Sequence, residues 1–389
     1  MTAIRGAARI AGVYEHPGRH LPGTSLPQIH AEVALGALAD AGLTLADVDA
    51  YFCAGDAPGF GAISMAEYLG LRLRHLDSTE SGGSSYLVHL GHAAAAIAAG
   101  QCRVALITLG GKPRTGGAPP GGSMNDPRAP EYAFEMPFGA PTVAQYALAA
   151  QRHMYEFGTT SAQLAEIKVA ASLHAQHNPH ALLPRPVTVQ EVLDSPMISD
   201  PLHRLDCCVV TDGGGALVVV SPDVARSLDR TSVRLLGQGE AAKYAGGRID
   251  LTYTGAVWSG PAAFEQAGLK PADIGYASIY DSFTITVLQC LEDLGFCEKG
   301  QGGPFVAEGN LRAPDGLLPF NTDGGGLCNN HPGNRGGMTK VIEAVRQLRG
   351  EAHPAVQVAG CRFALAHGSG GSLGTRAGAA TVILGREDA

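Results

Sequence analysis

A long apolar segment in the first third of the chain limits the folds that this sequence can adopt. Residues 86–99 are almost entirely Ala, Leu, Val and His, and they end at Gly100. Their length and composition predict a helix, and a helix without a polar face has to be surrounded by protein. Residues 104–109 follow and predict a strand that is buried on both faces. Together the two segments predict an α/β fold in which helices cover a parallel or mixed sheet.

The same alternation of strands and helices recurs on both sides of this segment. In the first half, strand candidates lie at 7–13 and 48–53, and a helix candidate lies at 29–41. Two α/β halves of this kind indicate an ancestral duplication, with an N-terminal half at 1–225 and a C-terminal half at 226–389. In the second half the predicted order is a strand, two helices and a strand, at 274–280, 283–294, 337–349 and 379–384.

The first half is interrupted by a segment of different character. Residues 115–130 are rich in Gly, Pro and polar residues and are predicted to be irregular. Residues 141–157 and 161–178 then predict two helices, followed by a connecting segment at 179–195. We interpret residues 111–205 as an insertion that forms a lid or shapes the substrate site.

Composition and charge exclude several classes of protein. Hydrophobic residues make up 45% of the chain and charged residues 16%, which indicates a large buried core rather than disorder. The formal charge of −8 argues against a nucleic-acid-binding protein, because such proteins present a basic surface. The N-terminus has no charged region followed by a long apolar stretch, so we expect neither a secretory leader nor a membrane anchor and predict a cytoplasmic location.

The eight cysteines include no CxxC pair. A zinc ribbon within this chain is therefore not expected, and no metal-binding residues are predicted. In a cytoplasmic protein most of these cysteines should be reduced and buried as small hydrophobic residues.

Seven short blocks stand out between the end of the second insertion helix and the C-terminus. They are LHAQHNP at 173–179, LDCCVVTDG at 205–213, YDSF at 280–283, LEDLGFC at 291–297, NTDGG at 321–325, HPG at 331–333 and ALAHGSGG at 364–371. In this order the blocks resemble the thiolase superfamily, specifically its sterol-carrier-protein-type branch, whose bacterial members are often called lipid-transfer proteins.

The resemblance has consequences for fold and assembly. It implies a duplicated thiolase-type α/β fold, a five-layer αβαβα sandwich with an inserted loop domain, which agrees with the alternation described above. It also implies a homodimer or a larger assembly of dimers. The substrate would be an acyl-CoA, so coenzyme A enters as part of the substrate and no covalently bound cofactor is expected.

A thiolase needs a cysteine thiolate at the start of its buried helix, where the helix dipole and free N–H groups stabilise negative charge. The corresponding junction here reads ESGGSSY at 80–86 and contains no cysteine. A residue of the Ser-Gly-Gly run at 81–83 stands in the nucleophile's place. The glycines can shape the turn while Ser84 or Ser85 caps the helix, and we expect Ser84 and Ser85 to contact the bound acyl-CoA.

The branch commonly carries its acid/base cysteine in a His-Asp-Cys-Phe block, and this chain has YDSF at 280–283. Both the histidine and the cysteine are therefore replaced. Tyr280 can still donate a proton or a hydrogen bond at an oxyanion position, although it loses its proton less readily than a cysteine. The alternative is a core tyrosine with a satisfied hydroxyl.

His331-Pro332 matches the family's Gly-His-Pro block, with Asn330 in place of the glycine. The resemblance implies that this histidine hydrogen-bonds the thioester oxygen or activates a nucleophile. The alternative is a histidine that only holds its loop together. Cys328 could be a displaced nucleophilic thiol or a plain buried cysteine.

His367 precedes the glycine-rich run at 368–371, which is predicted to be a turn. The main-chain N–H groups of this predicted turn would suit an oxyanion or a pantetheine carbonyl, so Gly370 and Gly371 are assigned to acyl-CoA binding. His367 would add a polar contact, or it is a structural histidine. Tyr280, His331 and His367 are the catalytic candidates.

These features are similar to those of the steroid side-chain aldolases, a sub-branch that lacks the cysteine pair and carries tyrosines in its site. The leading hypothesis is a lyase that cleaves a β-hydroxyacyl-CoA by a retro-aldol reaction. The alternatives are a β-ketoacyl-CoA thiolase with a relocated nucleophile such as Cys328 or Ser84, and a non-catalytic acyl-CoA-binding scaffold. Members without the cysteine pair often bind a small zinc-ribbon/OB-fold protein, and the resemblance implies such a partner here.

Overall fold

Strands and helices alternate along the chain from residue 9 to residue 385. The structure is a computed structural model that describes residues 4–117, 133, 136–138, 141–243, 250–333, 336–371, 373 and 377–388. Its strands are β1 Arg9–Glu15, β2 Ala50–Cys53, β3 His75–Ser78, β4 Val104–Gly111, β5 Met197–Ser199, β6 Leu202–His203, β7 Gly213–Val220, β8 Val233–Ala242, β9 Tyr276–Ile279, β10 Phe363–Gly371 and β11 Ala377–Gly385.

Nine of these strands form one mixed sheet in the order β3-β2-β4-β7-β1-β8-β11-β10-β9. The first five in this order come from the first half of the chain and the last four from the second half. The two groups meet where β1 pairs with β8, through Arg9 with Arg234 and Ile10 with Val233. Strands from different halves are not intermixed, as a duplicated fold requires. β5 and β6 form a separate small hairpin.

Helices cover both faces of the sheet. They are α1 Leu26–Ala41, α2 Ala62–Leu69, α3 Ser85–Ala98, α4 Thr142–Phe157, α5 Ser161–Ala175, α6 Val189–Leu193, α7 Pro222–Arg226, α8 Ala256–Ala267, α9 Thr284–Asp293, α10 Gly302–Ala307, α11 Gly325–Cys328 and α12 Gly337–Arg349. None of the helices in the described ranges is long and apolar enough to cross a membrane.

Alternate residues of the strands pack into different cores, and this creates the layers. In β4, Ala105 and Ile107 pack into the core that contains α3 and α12, while Leu106 faces the core that contains α1 and α2. In β10, Ala366 faces α3 and α12, while Leu365 faces α8 and α9. The five layers are α1/α2, the first half-sheet, α3/α12, the second half-sheet and α8/α9. The predicted fold class is confirmed.

The insertion helices α4 and α5 pack against the second half of the chain, in the same core as α8 and α9. His153 of α4 lies 3.0 Å from Glu292 of α9, and the main-chain N–H of Ala313 donates to Nε2 of His174 in α5 over 2.8 Å. The insertion is thereby fixed beside β9 and β10. Most of the predicted irregular segment at 115–130 lies outside the described residues.

The prediction of a turn at 368–371 is wrong. These residues belong to β10, which pairs with β11 along its whole length to Gly371. Glycine is required here for packing rather than for turning: a Cβ on Gly368 would lie 2.8 Å from the carbonyl oxygen of Gly83, and one on Gly370 would overlap the carbonyl of Ser81. The glycines let the start of α3 approach the sheet closely.

Two smaller boundaries also differ from expectation. The second insertion helix ends at Ala175 rather than at 178, and the connecting segment at 179–195 contains the short helix α6. A complete capping box at Thr188 and Glu191 starts this helix, and local polar contacts of this kind leave no apolar periodicity in a sequence.

Candidate active site

The tyrosine that follows β9 and the histidine of the HPG block lie side by side. The main-chain N–H of Tyr280 donates to the carbonyl of His367 in β10 over 2.9 Å, which fixes the backbone next to the sheet. The hydroxyl oxygen of Tyr280 is 2.8 Å from Nε2 of His331, and the two ring centroids are 5.5 Å apart. The structure thus brings together two of the three predicted catalytic residues.

Burial makes this pair neutral at physiological pH. It raises the pKa of Tyr280 well above the ordinary phenol value. It lowers the pKa of His331 to about 4, with the Asp281 carboxylate opposing the shift. With the ring proton on Nδ1, Nε2 of the neutral imidazole accepts from the Tyr280 hydroxyl. The Gly336 amide opposes the rise in the pKa of Tyr280.

A chain of hydrogen bonds fixes the main chain of His331. Its N–H donates to Oγ1 of Thr211 over 2.9 Å, and the Thr211 hydroxyl donates to Oδ1 of Asn330 over 2.6 Å. The Asn330 amide then donates to Oε1 of Glu15 over 2.9 Å. Asn330, which replaces the family's glycine, therefore connects the histidine loop to β1.

Glu15 is the centre of a buried charged cluster. Its Oε1 also accepts from Arg19 over 2.8 Å and from Asn329 over 3.1 Å, and its Oε2 lies 3.4 Å from Arg346. Burial alone would raise the pKa of Glu15, but Arg19 and Arg346 hold it below its ordinary value. The carboxylate stays charged and ties residues 329–331 to the first half of the chain.

Asp281, next to Tyr280, supports the pair from the other side. One of its oxygens accepts from the main-chain N–H of Gly326 over 2.8 Å and lies 2.7 Å from Nζ of Lys340, and the other accepts from Leu327 over 3.1 Å. The carboxylate therefore joins the end of β9 to α11 and α12. Since α11 leads directly to His331, this contact helps to set the distance between the tyrosine and the histidine.

The ring of Tyr280 fills the space above Gly83. A Cβ on Gly83 would lie 2.5 Å from Cε2 and 2.7 Å from Cζ of that ring, closer than real atoms approach. Gly83 lies two residues before the buried helix α3. A Cβ on it would also lie 2.4 Å from the carbonyl oxygen of Ser369 in β10, so a side chain at residue 83 would overlap both the Tyr280 ring and the strand.

The serines around this glycine bond to one another. The Ser84 hydroxyl donates to the carbonyl of Ser81 over 2.7 Å, and the hydroxyl of Ser85 accepts from the N–H of Ser81 over 2.9 Å. Neither makes a side-chain cap to an N–H of α3, so the expectation of a capping serine is wrong. Both side chains are fully buried, and their contact with acyl-CoA stays a prediction.

Solvent access separates the candidate residues into two groups. Tyr280 keeps 4% of its surface exposed and His331 keeps 5%, whereas His367 has 0%. The imidazole of His367 points to the other face of β10, where its Nδ1 is 2.9 Å from the Thr381 hydroxyl. Burial lowers the pKa of His367 to about 3. The structure does not bring its side chain to the Tyr280–His331 pair.

Gly370 and Gly371 end β10 beside the start of α3. A Cβ on Gly82 would lie 2.8 Å from Cα of Gly370 and 3.1 Å from the amide nitrogen of Gly371. The two glycines therefore pack directly against Gly82, as strand residues rather than as a turn. Their contact with acyl-CoA stays a prediction.

Cys328 is fully buried and faces α5. The ammonium of Lys168 lies 3.2 Å from its Sγ and donates to the carbonyl of Leu327 over 2.7 Å. Burial raises the pKa of the Cys328 thiol although Lys168 opposes the shift. A buried thiol with a raised pKa is poorly suited to nucleophilic attack.

Tyr146, on the insertion helix α4, was not among the predicted site residues. Its hydroxyl donates to the carbonyl of Gly371 over 3.3 Å, and its ring lies 4.3 Å from the ring of Phe283. It also interacts with the Ser282 hydroxyl, and burial raises its pKa to about 12. The side chain keeps 5% of its surface exposed, as Tyr280 and His331 do.

Comparison with known proteins agrees with these features. Residues 237–386 match the family described as "Thiolase C-terminal domain-like". A steroid side-chain-cleaving aldolase of Thermomonospora curvata is 36% identical over 90% of this chain and 92% of its own length. A 17-hydroxy-3-oxo-4-pregnene-20-carboxyl-CoA lyase of Mycobacterium tuberculosis is 34% identical over 89% of this chain and 92% of its own length. An acetyl-CoA acetyltransferase of Methanothermobacter thermautotrophicus is 33% identical over 95% of this chain and 97% of its own length.

Among solved structures, one described as an Ltp2-ChsH2(DUF35) aldolase superposes with a TM-score of 0.89 at 34% identity, over 99% of both chains. Shorter matches at 32% identity include sterol carrier protein 2 of Bos taurus, over 58% of this chain and 43% of that protein. The chain therefore belongs to the thiolase superfamily, in its sterol-carrier-protein-type branch.

Proposed function

We propose that this protein is an acyl-CoA carbon–carbon lyase that cleaves a β-hydroxyacyl-CoA by a retro-aldol reaction. The observation that carries the proposal is the hydrogen-bonded Tyr280–His331 pair beside Gly83, in a junction at 81–83 that contains no cysteine. The relatives named as an aldolase and a lyase each match over 92% of their own length, which supports the same reaction class.

The pair can take up the proton that the reaction releases. Tyr280 accepts the proton of the substrate β-hydroxyl while its own proton passes to Nε2 of His331. The bond between the α- and β-carbons then breaks, giving a ketone or aldehyde and the enolate of a shorter acyl-CoA. The nearby Asp281 carboxylate favours the imidazolium that forms, because it raises the pKa of His331 against the effect of burial. No acyl-enzyme is needed.

The enolate oxygen has to be stabilised by hydrogen-bond donors that are in position before the bond breaks. We assign this role to main-chain N–H groups at the start of α3, where the helix dipole favours negative charge. Gly83, Gly370 and Gly371 would contribute main chain to the thioester site, and Ser84 and Ser85 would hold its shape. His367 would have a supporting role through Thr381 rather than contact with substrate, and coenzyme A enters only as part of the substrate.

A thiolase is the second candidate, because the acetyl-CoA acetyltransferase relative matches over 97% of its own length and His331 is retained. That reaction requires a thiolate to form an acyl-enzyme. Gly83 offers none, and Cys328 is buried against Lys168. A non-catalytic scaffold is disfavoured by the direct contact between the polar groups of Tyr280 and His331.

The test compares wild type, Tyr280→Phe and the control Tyr155→Phe, whose hydroxyl is on the exposed side of α4. Substrates are 17-hydroxy-3-oxo-4-pregnene-20-carboxyl-CoA and 3-hydroxybutyryl-CoA, with products followed by mass spectrometry. We expect cleavage of a hydroxy substrate, a loss of at least about 100-fold in Tyr280→Phe and no change in the control. Full activity of Tyr280→Phe would remove the tyrosine from the mechanism.

We also propose that the protein acts in the cytoplasm as a homodimer with a small zinc-ribbon/OB-fold partner. The solved structure with a TM-score of 0.89 is described as an Ltp2-ChsH2(DUF35) aldolase, so that protein is an assembly with a second component. Light scattering and a cleavage assay on the chain, alone and after co-expression with a DUF35 protein, test the homodimer and the need for a partner. A monomeric mass would contradict the homodimer, and full activity of the chain alone would contradict the need for a partner.

A further inference from the structure

The insertion places a second tyrosine close to the block that carries Tyr280. Tyr146 is carried by α4, far from Tyr280 in sequence, yet its ring centroid lies 4.3 Å from that of Phe283, with the two rings tilted by 34°. Phe283 follows Tyr280 by three residues, and the Ser282 hydroxyl between them interacts with Tyr146. Tyr146 also acts on Tyr280 electrostatically, since it adds to the rise in the pKa of Tyr280 that burial and Cys208 produce.

Gly371 places the Tyr146 hydroxyl relative to the thioester site. The carbonyl of Gly371 accepts from this hydroxyl over 3.3 Å. The amide nitrogen of the same residue lies 3.1 Å from the point where a Cβ on Gly82 would stand. Gly371, the last residue of β10, therefore contacts both the Tyr146 hydroxyl and the segment that leads into α3. Tyr146 keeps 5% of its surface exposed, as His331 does, and Tyr280 keeps 4%.

A retro-aldol reaction needs two proton transfers, and the Tyr280–His331 pair accounts for the first of them. The second puts a proton on the α-carbon of the enolate that remains after the carbon–carbon bond has broken. We propose that Tyr146 is the acid for this second step. This inference rests on the proposed lyase reaction and adds to it a second catalytic residue, supplied by the insertion.

After the carbon–carbon bond has broken, its electron pair rests in the enolate. The α-carbon then takes the hydroxyl proton of Tyr146, and this transfer completes the shorter acyl-CoA. The phenolate regains a proton from water that enters when the carbonyl product leaves, and His331 returns its extra proton to solvent. In reverse, the Tyr146 oxygen removes an α-proton from the short acyl-CoA.

Other acids near this space fit the step less well. Asp281 has both oxygens occupied by Gly326, Leu327 and Lys340, and His367 faces the opposite side of β10. The Cys208 thiol is the remaining competitor, because it lies close enough to affect the pKa of both tyrosines. The experiment therefore includes Cys208→Ala.

The reverse half-reaction isolates the second step from carbon–carbon cleavage. Propionyl-CoA is incubated in D₂O with the full chain, or with its complex if a partner proves necessary, and deuterium at the α-carbon is followed by mass spectrometry. We expect exchange by wild type, a loss of at least about 100-fold in Tyr146→Phe, and wild-type exchange in Tyr155→Phe. Tyr280→Phe should lose far more cleavage than exchange.

The outcomes are distinguishable. Exchange by Tyr146→Phe within threefold of wild type, or loss of exchange in Cys208→Ala instead, overturns the inference. A wild type that cleaves hydroxyacyl-CoA but exchanges no α-proton also overturns it. If the wild-type protein exchanges α-protons through Tyr146 but cleaves no hydroxyacyl-CoA, the proposed lyase reaction is refuted. The assignment of Tyr146 as an acid then stands.

Discussion

At the scale of single residues, Tyr280 and residue 83 are packed together. The Tyr280 ring lies where a Cβ on residue 83 would stand, and the carbonyl oxygen of Ser369 occupies the same point from β10. Adding a side chain at residue 83 should therefore damage the present site.

Gly83→Ala tests this directly. The added methyl would overlap the Tyr280 ring, and overpacking of this kind costs about 1–3 kcal/mol, so we expect a lower melting temperature and a large loss of activity. Gly23→Ala is the control, because nothing lies within 4 Å of a Cβ at that position. If Gly83→Ala is as stable and active as the control, the packing account is wrong.

The pH profile of kcat/KM follows from the charge state of the pair. His331 must be neutral to accept a proton, and burial lowers its pKa to about 4, so activity should fall only in acid below about pH 5. Tyr280 should add no limb on the alkaline side below pH 9, because its pKa is raised well above the ordinary value. An acid limb centred near pH 6.5, the value of an unperturbed histidine, would contradict this.

Residue roles were harder to predict than residue positions. Tyr280 and His331 could be found because they lie in recognisable blocks. Tyr146 could not, because the insertion offered no block and its partner Phe283 is distant in sequence. The available signal was the spacing of Tyr146, Ala150 and His153 on one buried face of α4, and that pattern is usually only core.

At the scale of secondary-structure elements, the site depends on the contacts that hold the short helix α11 in place. Asp281 accepts from two main-chain N–H groups of α11 and pairs with Lys340 of α12. A helix of one turn has little stability of its own. The carboxylate therefore has to supply the contacts that keep α11, and with it His331, in place.

Asp281→Asn should be strongly destabilising, by about 3–5 kcal/mol, because it leaves the Lys340 ammonium buried without its carboxylate. The double variant Asp281→Asn/Lys340→Met should recover only part of that stability, because it removes the unpaired ammonium but also takes Lys340 away from the buried Asp323. Urea unfolding of the two single variants and the double variant measures the coupling. Strict additivity of the two single effects would show that the pair does not interact.

Elements with an obvious apolar pattern were predicted well and those with glycine were not. α3, β4 and α12 are buried because their sequences are apolar or carry an apolar face, and their positions were predicted within a few residues. The last four residues of β10 are Gly-Ser-Gly-Gly, and such a run predicts a turn. Only the approach of residues 81–84 explains glycine in a central strand, and this contact is not visible in the local sequence.

At the scale of the whole molecule, the catalytic loop of the second half is held by the first half. Glu15 at the end of β1 accepts from Asn329 and Asn330 and pairs with Arg346. The two halves therefore share one charged cluster behind the site. The overall architecture could be predicted from repeated apolar segments, but this cluster could not, since its members are polar residues far apart in sequence.

Glu15→Gln should lower kcat with a smaller effect on KM, because it loosens the loop that carries His331 without touching substrate. The unfolding free energy should fall by about 2–4 kcal/mol, since Arg19 and Arg346 lose their buried carboxylate. Glu387→Gln removes an exposed ion pair with Arg9 and should cost under about 1 kcal/mol. Equal effects of the two variants on kcat would contradict the proposed role of Glu15.

The central claim is that carbon–carbon cleavage proceeds without an acyl-enzyme. The most direct test is to incubate the wild-type protein, with its partner if one is required, with a β-hydroxyacyl-CoA and no free coenzyme A, and to quantify the carbonyl product and the shorter acyl-CoA. The account predicts equal amounts of both products over many turnovers and no acylated protein in the intact mass spectrum. Cleavage only of a β-ketoacyl-CoA, and only with free coenzyme A, would contradict it and identify a thiolase.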